Sequence, residues 1–334
     1  MTAPNTRILP YNGHTIAEAA ALIATGQCVA VPTETVYGLA ADATDGAAVA
    51  RVYEAKGRPS FNPLIVHVPD LAAARKLAAF DARAEALAAA FWPGPLTLVL
   101  PLKQSAGIAS LVTAGLETIA IRVPDHRAMR ALLAACGTPL AAPSANASGT
   151  ISPTRVEHVA HSLDGRIPLI VDDGPTRQGI ESTIVREVFG MTRILRHGPV
   201  TGAEVLAVLS NGGQRVDRFD TGADAPAAPT IEAQIEAQAI EAPGQLASHY
   251  APRKALRIDA PRAAGDEWMI GFGPTPGDDT LSATGDLTEA ATRLFDLLHK
   301  ADASDKPKIA VAPVPDSGIG EAINDRLRRA AHRD

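Results

Sequence analysis

Residues 56–67 read Lys56-Gly-Arg-Pro-Ser-Phe-Asn-Pro-Leu-Ile-Val-His67, a polar loop that runs into a short apolar strand. Gly57, Pro59 and Pro63 interrupt any continuous helix here, so the segment predicts a shaped loop followed by a strand. The loop carries two fixed positive charges beside backbone that a ligand can approach closely, a combination that suits polyphosphates. A solvated basic turn is the alternative interpretation of such a pair of cations.

Strand-like and helix-like segments alternate on both sides of this loop, and such alternation predicts an α/β layer fold. The predicted strands span residues 28–31, 64–68, 96–100, 118–123, 169–171, 182–185 and 193–195. Single helices are predicted at residues 15–24, 47–55, 126–135, 154–162 and 201–209, and more than one Ala/Leu-rich helix across 71–91. Thr15 is the predicted N-cap of the first helix, because Glu18 follows it in a capping-box arrangement.

A change in composition divides the chain into two units joined by a linker. We predict a first α/β domain over residues 1–210, a linker rich in Ala, Pro and acidic residues over 211–253, and a smaller α/β domain over 254–334. In the last unit, strands are predicted at 256–258, 268–272 and 309–312, and helices at 287–301 and 319–332. The linker ends with His249 and Tyr250 in a loop of small residues, which is unusual for a simple tether.

The composition argues against several classes of protein. The formal net charge is −6, and residues 1–205 hold 17 Lys/Arg against 17 Asp/Glu, so the first domain is neutral. Aromatic residues make up 4% of the chain. We therefore expect no strong nonspecific nucleic-acid binding, which needs a basic excess or aromatic stacking platforms. The two cysteines lie in apolar contexts and no Cys/His metal spacing occurs, so we expect no protein metal site. No apolar run reaches membrane-spanning length, so we expect no membrane contact and a cytoplasmic location.

Further polar loops accompany residues 56–67. Residues 33–38 read Thr-Glu-Thr-Val-Tyr-Gly and follow a strand end, where α/β folds place ligands, although Thr33 or Thr35 could instead be a helix N-cap. Residues 143–149 read Pro-Ser-Ala-Asn-Ala-Ser-Gly and could donate hydrogen bonds to a phosphate or ribose, or form only a turn.

Two charged or titratable residues lie inside apolar strands. His67 on its own is more typical of a satisfied core histidine. Arg122, in Ile-Ala-Ile-Arg-Val-Pro, must find an anion, because an unpaired buried arginine loses heavily in desolvation. A structural carboxylate and a ligand carboxylate are both open interpretations of that anion.

Taken together, these loops resemble the YrdC-like threonylcarbamoyl-AMP synthases, and the matching order and spacing cover nearly all of residues 10–205. The matching segments are Val31-Pro-Thr-Glu-Thr-Val-Tyr-Gly-Leu39, Lys56-Gly-Arg-Pro, Asn62-Pro-Leu-Ile-Val-His67, Trp92-Pro-Gly-Pro-Leu-Thr97, Arg122-Val-Pro, Ala142-Pro-Ser-Ala-Asn-Ala-Ser-Gly149, Ser182-Thr-Ile-Val185 and Arg196-His-Gly198. His249-Tyr-Ala-Pro252 and the final Asn324-Asp-Arg-Leu-Arg-Arg-Ala-Ala resemble the long, two-domain members. Long members often have Met where this chain has Gln245, which bears on how the linker packs.

The resemblance implies a fold and a reaction. The fold is a YrdC-like twisted open mixed sheet with helices and a concave face, followed by a smaller Rossmann-like α/β domain. The reaction condenses ATP, L-threonine and bicarbonate to threonylcarbamoyl-AMP and releases pyrophosphate. Partner transferases then move the threonylcarbamoyl group to an adenosine beside the anticodon of tRNA. Mg²⁺ is expected to accompany ATP, with no tightly bound organic cofactor.

The resemblance also implies roles for individual residues. The catalytic set is Lys56, Arg58, Ser144 and Asn146. The ATP-binding set is Arg58, Asn62, Thr118, Ser144, Ser152, Arg196 and Tyr250, with residues 243–252 as a lid over the nucleotide. The L-threonine-binding set is Thr35, His67, Arg122, Ala142 and Ser182.

The rival functions are an RNA-binding module, a carbamoyl-phosphate-using transferase and a regulator that binds nucleotide without catalysis.

Overall fold

A computed structural model describes residues 5–188, 191–211, 219–220, 241–243 and 249–332. Within those residues, eleven strands form one mixed sheet, ten of them in the first domain and the last, β11, in the segment predicted as linker. The strands are β1 Arg7–Pro10, β2 Val29–Pro32, β3 Tyr37–Asp42, β4 Ile65–His67, β5 Leu96–Pro101, β6 Thr118–Arg122, β7 Leu140–Ala141, β8 Leu169–Asp172, β9 Thr183–Val188, β10 Met191–Arg196 and β11 Phe219–Asp220. The helices of this domain are α1 Gly13–Ala24, α2 Gly46–Lys56, α3 Leu71–Leu77, α4 Ala82–Phe91, α5 Ser110–Thr113, α6 Arg127–Cys136, α7 Val156–Leu163 and α8 Gly202–Asn211.

The sheet is covered on both faces, which explains why its strands are apolar throughout rather than alternating. On β2, Ala30 belongs to the larger core cluster, whereas Val29 and Val31 belong to a second cluster that includes residues of α1 and α6. On β8, Ile170 joins the larger cluster while its two neighbours join the second. Successive side chains of a strand point to opposite faces, so helices must bury both. The predicted mixed α/β sheet is confirmed.

The second domain is a smaller, all-parallel α/β unit. Its strands are β12 Ala255–Arg257, β13 Glu267–Gly271, β14 Asp279–Thr280 and β15 Lys308–Val311, and its helices are α9 Leu287–Ala303 and α10 Ile319–Ala331. In the described residues these strands pair in the order β12-β15-β13-β14, each pair parallel. The expected Rossmann-like layering is therefore present. No helix in the described ranges is long and apolar enough to span a bilayer.

Two local predictions were wrong. The N-cap of α1 is Asn12, whose Oδ1 accepts a hydrogen bond of 2.9 Å from the Thr15 backbone N–H, so Thr15 lies inside the helix. The predicted loop after residue 33 turns into strand β3 at Tyr37, where β2 supplies a full antiparallel partner. The small residues of β3 have weak strand propensity, and sheet pairing overrides it.

The two domains share a core at their interface. The apolar cluster of the second domain also contains Val36, Ile151 and Ile180 of the first. Gly179, with φ of +71°, allows the backbones to approach closely, because a Cβ there would lie 2.4 Å from the Thr292 carbonyl oxygen of α9. The second domain therefore packs directly against the loops that follow β2 and precede β9.

A pair of stacked imidazoles also bridges the domains. The rings of His158 in α7 and His299 in α9 lie 3.8 Å apart between centroids, 18° from parallel. His299 Nε2 lies 3.1 Å from the Ser152 carbonyl oxygen, and His158 Nε2 lies 3.5 Å from Asp296. Burial lowers the pKa of His158 to about 4 and the pKa of His299 to about 3, so both rings are neutral near pH 7.

This stack predicts acid sensitivity of the folded state. Below about pH 6.5 the unfolded chain protonates both imidazoles while the folded chain does not. The free energy of unfolding therefore decreases as the pH is lowered, by up to about 1.4 kcal/mol per pH unit for each ring. We expect the free energy of unfolding, measured in urea between pH 7 and pH 4.5, to fall less steeply in His299→Gln than in the parent. Exposed His14→Gln is the control, and an unchanged slope in His299→Gln would contradict the prediction.

Candidate active site

Strand pairing brings several predicted site residues to one edge of the large sheet. Parallel strands β4 and β6 end side by side, with His67 paired to Arg122. Strand β9 begins immediately after Ser182 and runs parallel to β5, which is antiparallel to β6. Strand β10 ends at Arg196, which pairs with Ile184 near the start of β9. The ends of β4, β6 and β10 and the start of β9 thus surround one cavity.

The cavity wall separates the predicted site residues into two groups. Those that line it are Thr35, Arg58, His67, Arg122, Ala142, Ser144, Ser182, Arg196 and Tyr250. Those that do not line it are Lys56, Asn62, Thr118, Asn146 and Ser152. Thr118 starts strand β6 and therefore lies at the opposite end of that strand from Arg122. Lys56, Asn62, Asn146 and Ser152 instead bond to residues of the wall or to the loops that form it.

Arg122 is held from three sides. Its Nη2 forms an ion pair of 2.5 Å with Glu34, its Nη1 donates to Thr35 Oγ1 at 2.9 Å, and its Nε donates to the Gly94 carbonyl at 3.2 Å. Arg122 and Glu34 are 3% and 1% exposed. Glu34, in the loop after β2, is therefore a structural carboxylate partner of the buried arginine, and the Arg122 side chain also lines the cavity.

Arg58 lies at the cavity with its guanidinium oriented by its own loop. Its Nη2 donates to Asn62 Oδ1 at 2.6 Å and to the Pro63 carbonyl at 2.8 Å, and its Nε donates to the Asn62 carbonyl at 3.1 Å. The two prolines and Asn62 thus shape residues 58–63 around the cation. Burial lowers the pKa of Arg58 to about 10, which still leaves it charged at neutral pH.

Arg196 and Ser182 form the next part of the wall. Arg196 Nε donates to the Ser182 carbonyl at 3.0 Å, and its Nη2 donates to Ser182 Oγ at 3.1 Å. Ser182 Oγ also lies 2.7 Å from the hydroxyl of Thr97. Burial, first of all, lowers the pKa of Arg196. Arg58, Arg122 and Arg196 thus place three guanidinium groups on the cavity wall, one of them paired with Glu34. Guanidinium groups suit anionic ligands.

Lys56 does not line the cavity but bonds to a loop that forms part of its wall. Its Nζ donates to the carbonyls of Ser144 and Asn146, both at 2.5 Å, and lies 3.4 Å from Asn146 Oδ1. Asn146 Nδ2 in turn donates to the carbonyls of Thr150 and Ile151. The sequence predicted a cation facing phosphate, but the Lys56 ammonium is bonded to the loop that presents Ser144. Burial, followed by the charge of Arg58, lowers the pKa of Lys56 well below its usual value.

The contacts of Lys56 make a testable prediction. Lys56→Met leaves two buried carbonyls without their donor and releases the 144–146 loop, so we expect turnover to fall by at least about tenfold, together with a lower melting temperature. A lysine that bound phosphate alone would lose turnover with little loss of stability. Steady-state kinetics with a thermal melt separate the two outcomes, and Lys76→Met on α3 is the control.

The end of the linker closes the cavity from the side of the second domain. Tyr250 is fully buried, and Ala251 donates its backbone N–H to the Gly149 carbonyl at 2.8 Å. Pro243 and His249 also line the cavity. The described ends of the predicted 243–252 lid therefore cover the site, while residues 244–248, including Gln245, lie outside the described residues.

Several polar atoms of this wall lack a partner. His67 Nδ1, His249 Nδ1 and Tyr250 Oη are buried without a hydrogen bond to any described residue. Burial lowers the pKa of His67 to about 3, and burial together with nearby cations lowers the pKa of His249 well below 6.5, so both imidazoles are neutral. Buried polar groups are normally satisfied, so this set of orphan atoms indicates a polar ligand.

Sequence reasoning missed two charged residues of this region. Glu181 lines the cavity, and its carboxylate accepts from Ser152 Oγ and from Arg326 of α10. An acidic residue directly before Ser182 was a weak signal for it. Arg326 was detectable by the argument that singled out Arg122, because it shares a helical stripe with buried Ile323, Leu327 and Ala330.

Comparison with known proteins identifies the family. A family model described as "Telomere recombination" matches residues 21–198, and a model of the threonylcarbamoyl-AMP synthase C-terminal domain matches residues 200–332. The threonylcarbamoyl-AMP synthase of Bacillus subtilis is 40% identical over 97% of this chain and 94% of the relative. That of Pyrococcus abyssi is 37% identical over 94% of this chain and 93% of the relative.

A solved structure agrees over the whole length. The crystal structure of P. abyssi Sua5 complexed with L-threonine has a TM-score of 0.83 and 33% sequence identity, and the match covers 98% of this chain and 97% of that one. Both domains and the linker ends are thus matched, and no large part of either chain is left over. The chain belongs to the threonylcarbamoyl-AMP synthase family, in its two-domain form.

Proposed function

We propose that the chain condenses L-threonine, bicarbonate and ATP to threonylcarbamoyl-AMP and releases pyrophosphate. The observation that carries the proposal is the cavity, whose wall places Arg58, Arg122 and Arg196 beside unpartnered polar atoms. Guanidinium groups suit the carboxylate and phosphate groups of the substrates. The full-length likeness to threonylcarbamoyl-AMP synthases supports the same reading.

The L-threonine half of the site is assigned to the ends of β4 and β6. Arg122 offers its guanidinium to the substrate carboxylate, while Glu34 and Thr35 keep it fixed. Thr35, His67, Ala142 and Ser182 line the same cavity and would orient the amine and hydroxyl groups of the substrate. A neutral His67 accepts or donates one hydrogen bond without repelling the arginine beside it.

The ATP half is assigned to Arg58, Ser144 and Arg196 on the wall. Asn62 and Ser152 support this half from behind, through Arg58 and Glu181 respectively. Tyr250 would close over the nucleotide and use its free hydroxyl. Thr118, at the other end of β6, stays a prediction for this half, supported by the family resemblance alone.

The chemistry needs orientation and charge rather than a covalent nucleophile. The threonine amine attacks bicarbonate, and water leaves to give a carbamate. A carbamate oxygen then attacks the α-phosphorus of ATP, while the bond from that phosphorus to the oxygen bridging it to the β-phosphate breaks and its electron pair departs with pyrophosphate. Negative charge grows on the phosphoryl oxygens and on the leaving group. Arg58 and Arg196, which line the cavity, would stabilise that charge.

Mg²⁺ would enter as a companion of the nucleotide, because the described part of the site offers it no unpaired carboxylate. The carboxylates nearest the cavity, Glu34 and Glu181, are already paired with Arg122 and Arg326. Among the described residues, no group of three or more His, Cys, Asp or Glu side chains is arranged to hold a metal ion. The phosphates would therefore supply the ligands of Mg²⁺, whose charge neutralises the departing pyrophosphate.

We further propose that threonylcarbamoyl-AMP is passed to transferase proteins that modify tRNA. Residues 1–205 have no net charge, which favours transfer of a small molecule to a partner protein over direct binding of tRNA by this chain.

Pyrophosphate release by the purified chain tests the proposal. With ATP and Mg²⁺ present, we expect release that stops when either L-threonine or bicarbonate is left out. Release that ignores threonine would leave the fold unaffected but would overturn the substrate assignment. The Arg122→Ala variant, assayed at the same L-threonine concentration, should release pyrophosphate much more slowly.

A further inference from the structure

Arg326 belongs to the second domain, yet it is buried against the active site. It is 0% exposed, and its Nε lies 3.1 Å from Glu181 Oε2. Its Nη1 donates to the His197 carbonyl, directly after Arg196 at the end of β10. Its guanidinium carbon stands 5.5 Å from the centroid of the Tyr250 ring. One side chain of α10 therefore touches a cavity-wall residue, the β10 terminus and the lid.

The contact with Glu181 links Arg326 to the nucleotide half of the site. The other carboxylate oxygen of Glu181 accepts from Ser152 Oγ, so this carboxylate lies between a residue assigned to ATP and the arginine. Glu181 lines the cavity whereas Arg326 does not. Arg326 therefore acts through Glu181 rather than on the substrate. A buried carboxylate beside a triphosphate needs such compensation, because like charges at close range repel strongly.

The contact with Tyr250 links Arg326 to the lid. Tyr250 has a backbone φ of +64°, in the left-handed region that is unfavourable for an aromatic residue. The surrounding structure must hold it there. Its ring packs against Phe295 at 5.5 Å and His249 at 4.0 Å, with Arg326 on the ring face. The second domain thus supplies both an apolar and a cationic contact to the lid.

We propose that Arg326 is a positioning residue through which the second domain completes the nucleotide site, by neutralising Glu181 beside Ser152 and by holding the Tyr250 ring over the cavity. This inference rests on the proposed function for its substrate. The second domain would then contribute to catalysis, because the Glu181 carboxylate is neutralised only when α10, which carries Arg326, packs against the first domain. It also predicts an effect that falls on ATP and leaves L-threonine unaffected.

The test compares Arg326→Gln with Arg328→Gln, which changes an exposed arginine on the same helix. We expect Arg326→Gln to raise the KM for ATP by about tenfold and the KM for L-threonine by less than about twofold, since the uncompensated Glu181 carboxylate repels phosphate. The control should match the parent in both. A KM for ATP unchanged in Arg326→Gln, or an equal rise for both substrates, would overturn the proposal.

A double variant separates charge balance from simple loss of packing. Glu181→Gln with Arg326→Gln removes both charges, so we expect it to restore the KM for ATP to within about threefold of the parent. A double variant no better than the single one would contradict the proposal. If Arg326→Gln fails to fold, Arg326→Lys keeps the charge and should show a smaller rise in the KM for ATP. In Arg326→Lys, a rise in the KM for L-threonine as large as the rise in the KM for ATP would overturn the proposal.

Nucleotide binding keeps this inference distinct from the proposed function. Calorimetric titration with ATP and Mg²⁺ measures the dissociation constant without any turnover. A parent chain that binds ATP but makes no pyrophosphate would defeat the proposed function while leaving the Arg326 comparison intact. An active parent whose ATP affinity is the same in Arg326→Gln would defeat the inference alone.

Discussion

Arg122→Ala is expected to raise the KM for L-threonine by about a hundredfold, because a buried, charge-assisted contact to the substrate carboxylate is lost. The KM for ATP should stay within about twofold, since Arg122 stands at the end of β6 on the threonine side. Steady-state pyrophosphate release with each substrate varied in turn measures both values. Arg127→Ala, in which the lost side chain is 71% exposed, is the matched control.

The same substitution should lower stability, because Glu34 would keep its buried charge without a partner. Removing one member of a buried ion pair costs about 3–5 kcal/mol. Combining Glu34→Gln with Arg122→Ala should recover part of the stability but none of the threonine affinity. An effect of Arg122→Ala confined to ATP would mean that the two halves of the site have been assigned the wrong way round.

Arg58→Ala should lower kcat by about a hundredfold, because a fixed cation facing the transferring phosphoryl group acts mainly on the transition state. Asn62 holds this guanidinium, so Asn62→Ala should reproduce the defect in weaker form. Arg75→Ala, an exposed arginine of α3 paired with Glu85, serves as the control. Single-turnover measurement of pyrophosphate formation separates the chemical step from product release.

Full activity in Arg58→Ala would remove the phosphate assignment of the 56–67 loop. A rise in the KM for ATP at unchanged kcat would show that Arg58 binds the nucleotide equally in the ground and transition states. Either result would shift the catalytic role toward Arg196, the other cavity arginine on the nucleotide side.

The fold was largely predictable, because buried strands leave a strong local signal. Apolar runs such as Leu96–Leu100 must be covered on both faces, and flanking Gly and Pro mark where they end. Strand β3 left no such signal, because Gly38, Leu39 and two alanines acquire their strand conformation from pairing with β2. Likewise Asn12 lies one turn before the capping box that singled out Thr15, and the local pattern alone favoured the wrong residue.

Site residues could be predicted where a charged side chain stands among apolar neighbours in the sequence. Arg122 inside an apolar strand demanded an anion, and the structure supplies Glu34. The partnership of Arg326 with Glu181 joins residues 145 positions apart, so no local pattern could identify the pair. The contacts of Lys56 were also hidden, because its ammonium bonds the carbonyls of Ser144 and Asn146, 88 and 90 positions away.

The product formed from labelled bicarbonate tests the central claim, that one cavity joins threonine, bicarbonate and the adenylyl group. The purified chain would be incubated with ATP, Mg²⁺, L-threonine and carbon-13 bicarbonate, and the products analysed by mass spectrometry. We predict threonylcarbamoyl-AMP that carries the label in its carbamoyl carbon and that forms much more slowly with Arg122→Ala when L-threonine is limiting. Pyrophosphate accompanied by AMP or threonyl-AMP, with no labelled adduct, would contradict it.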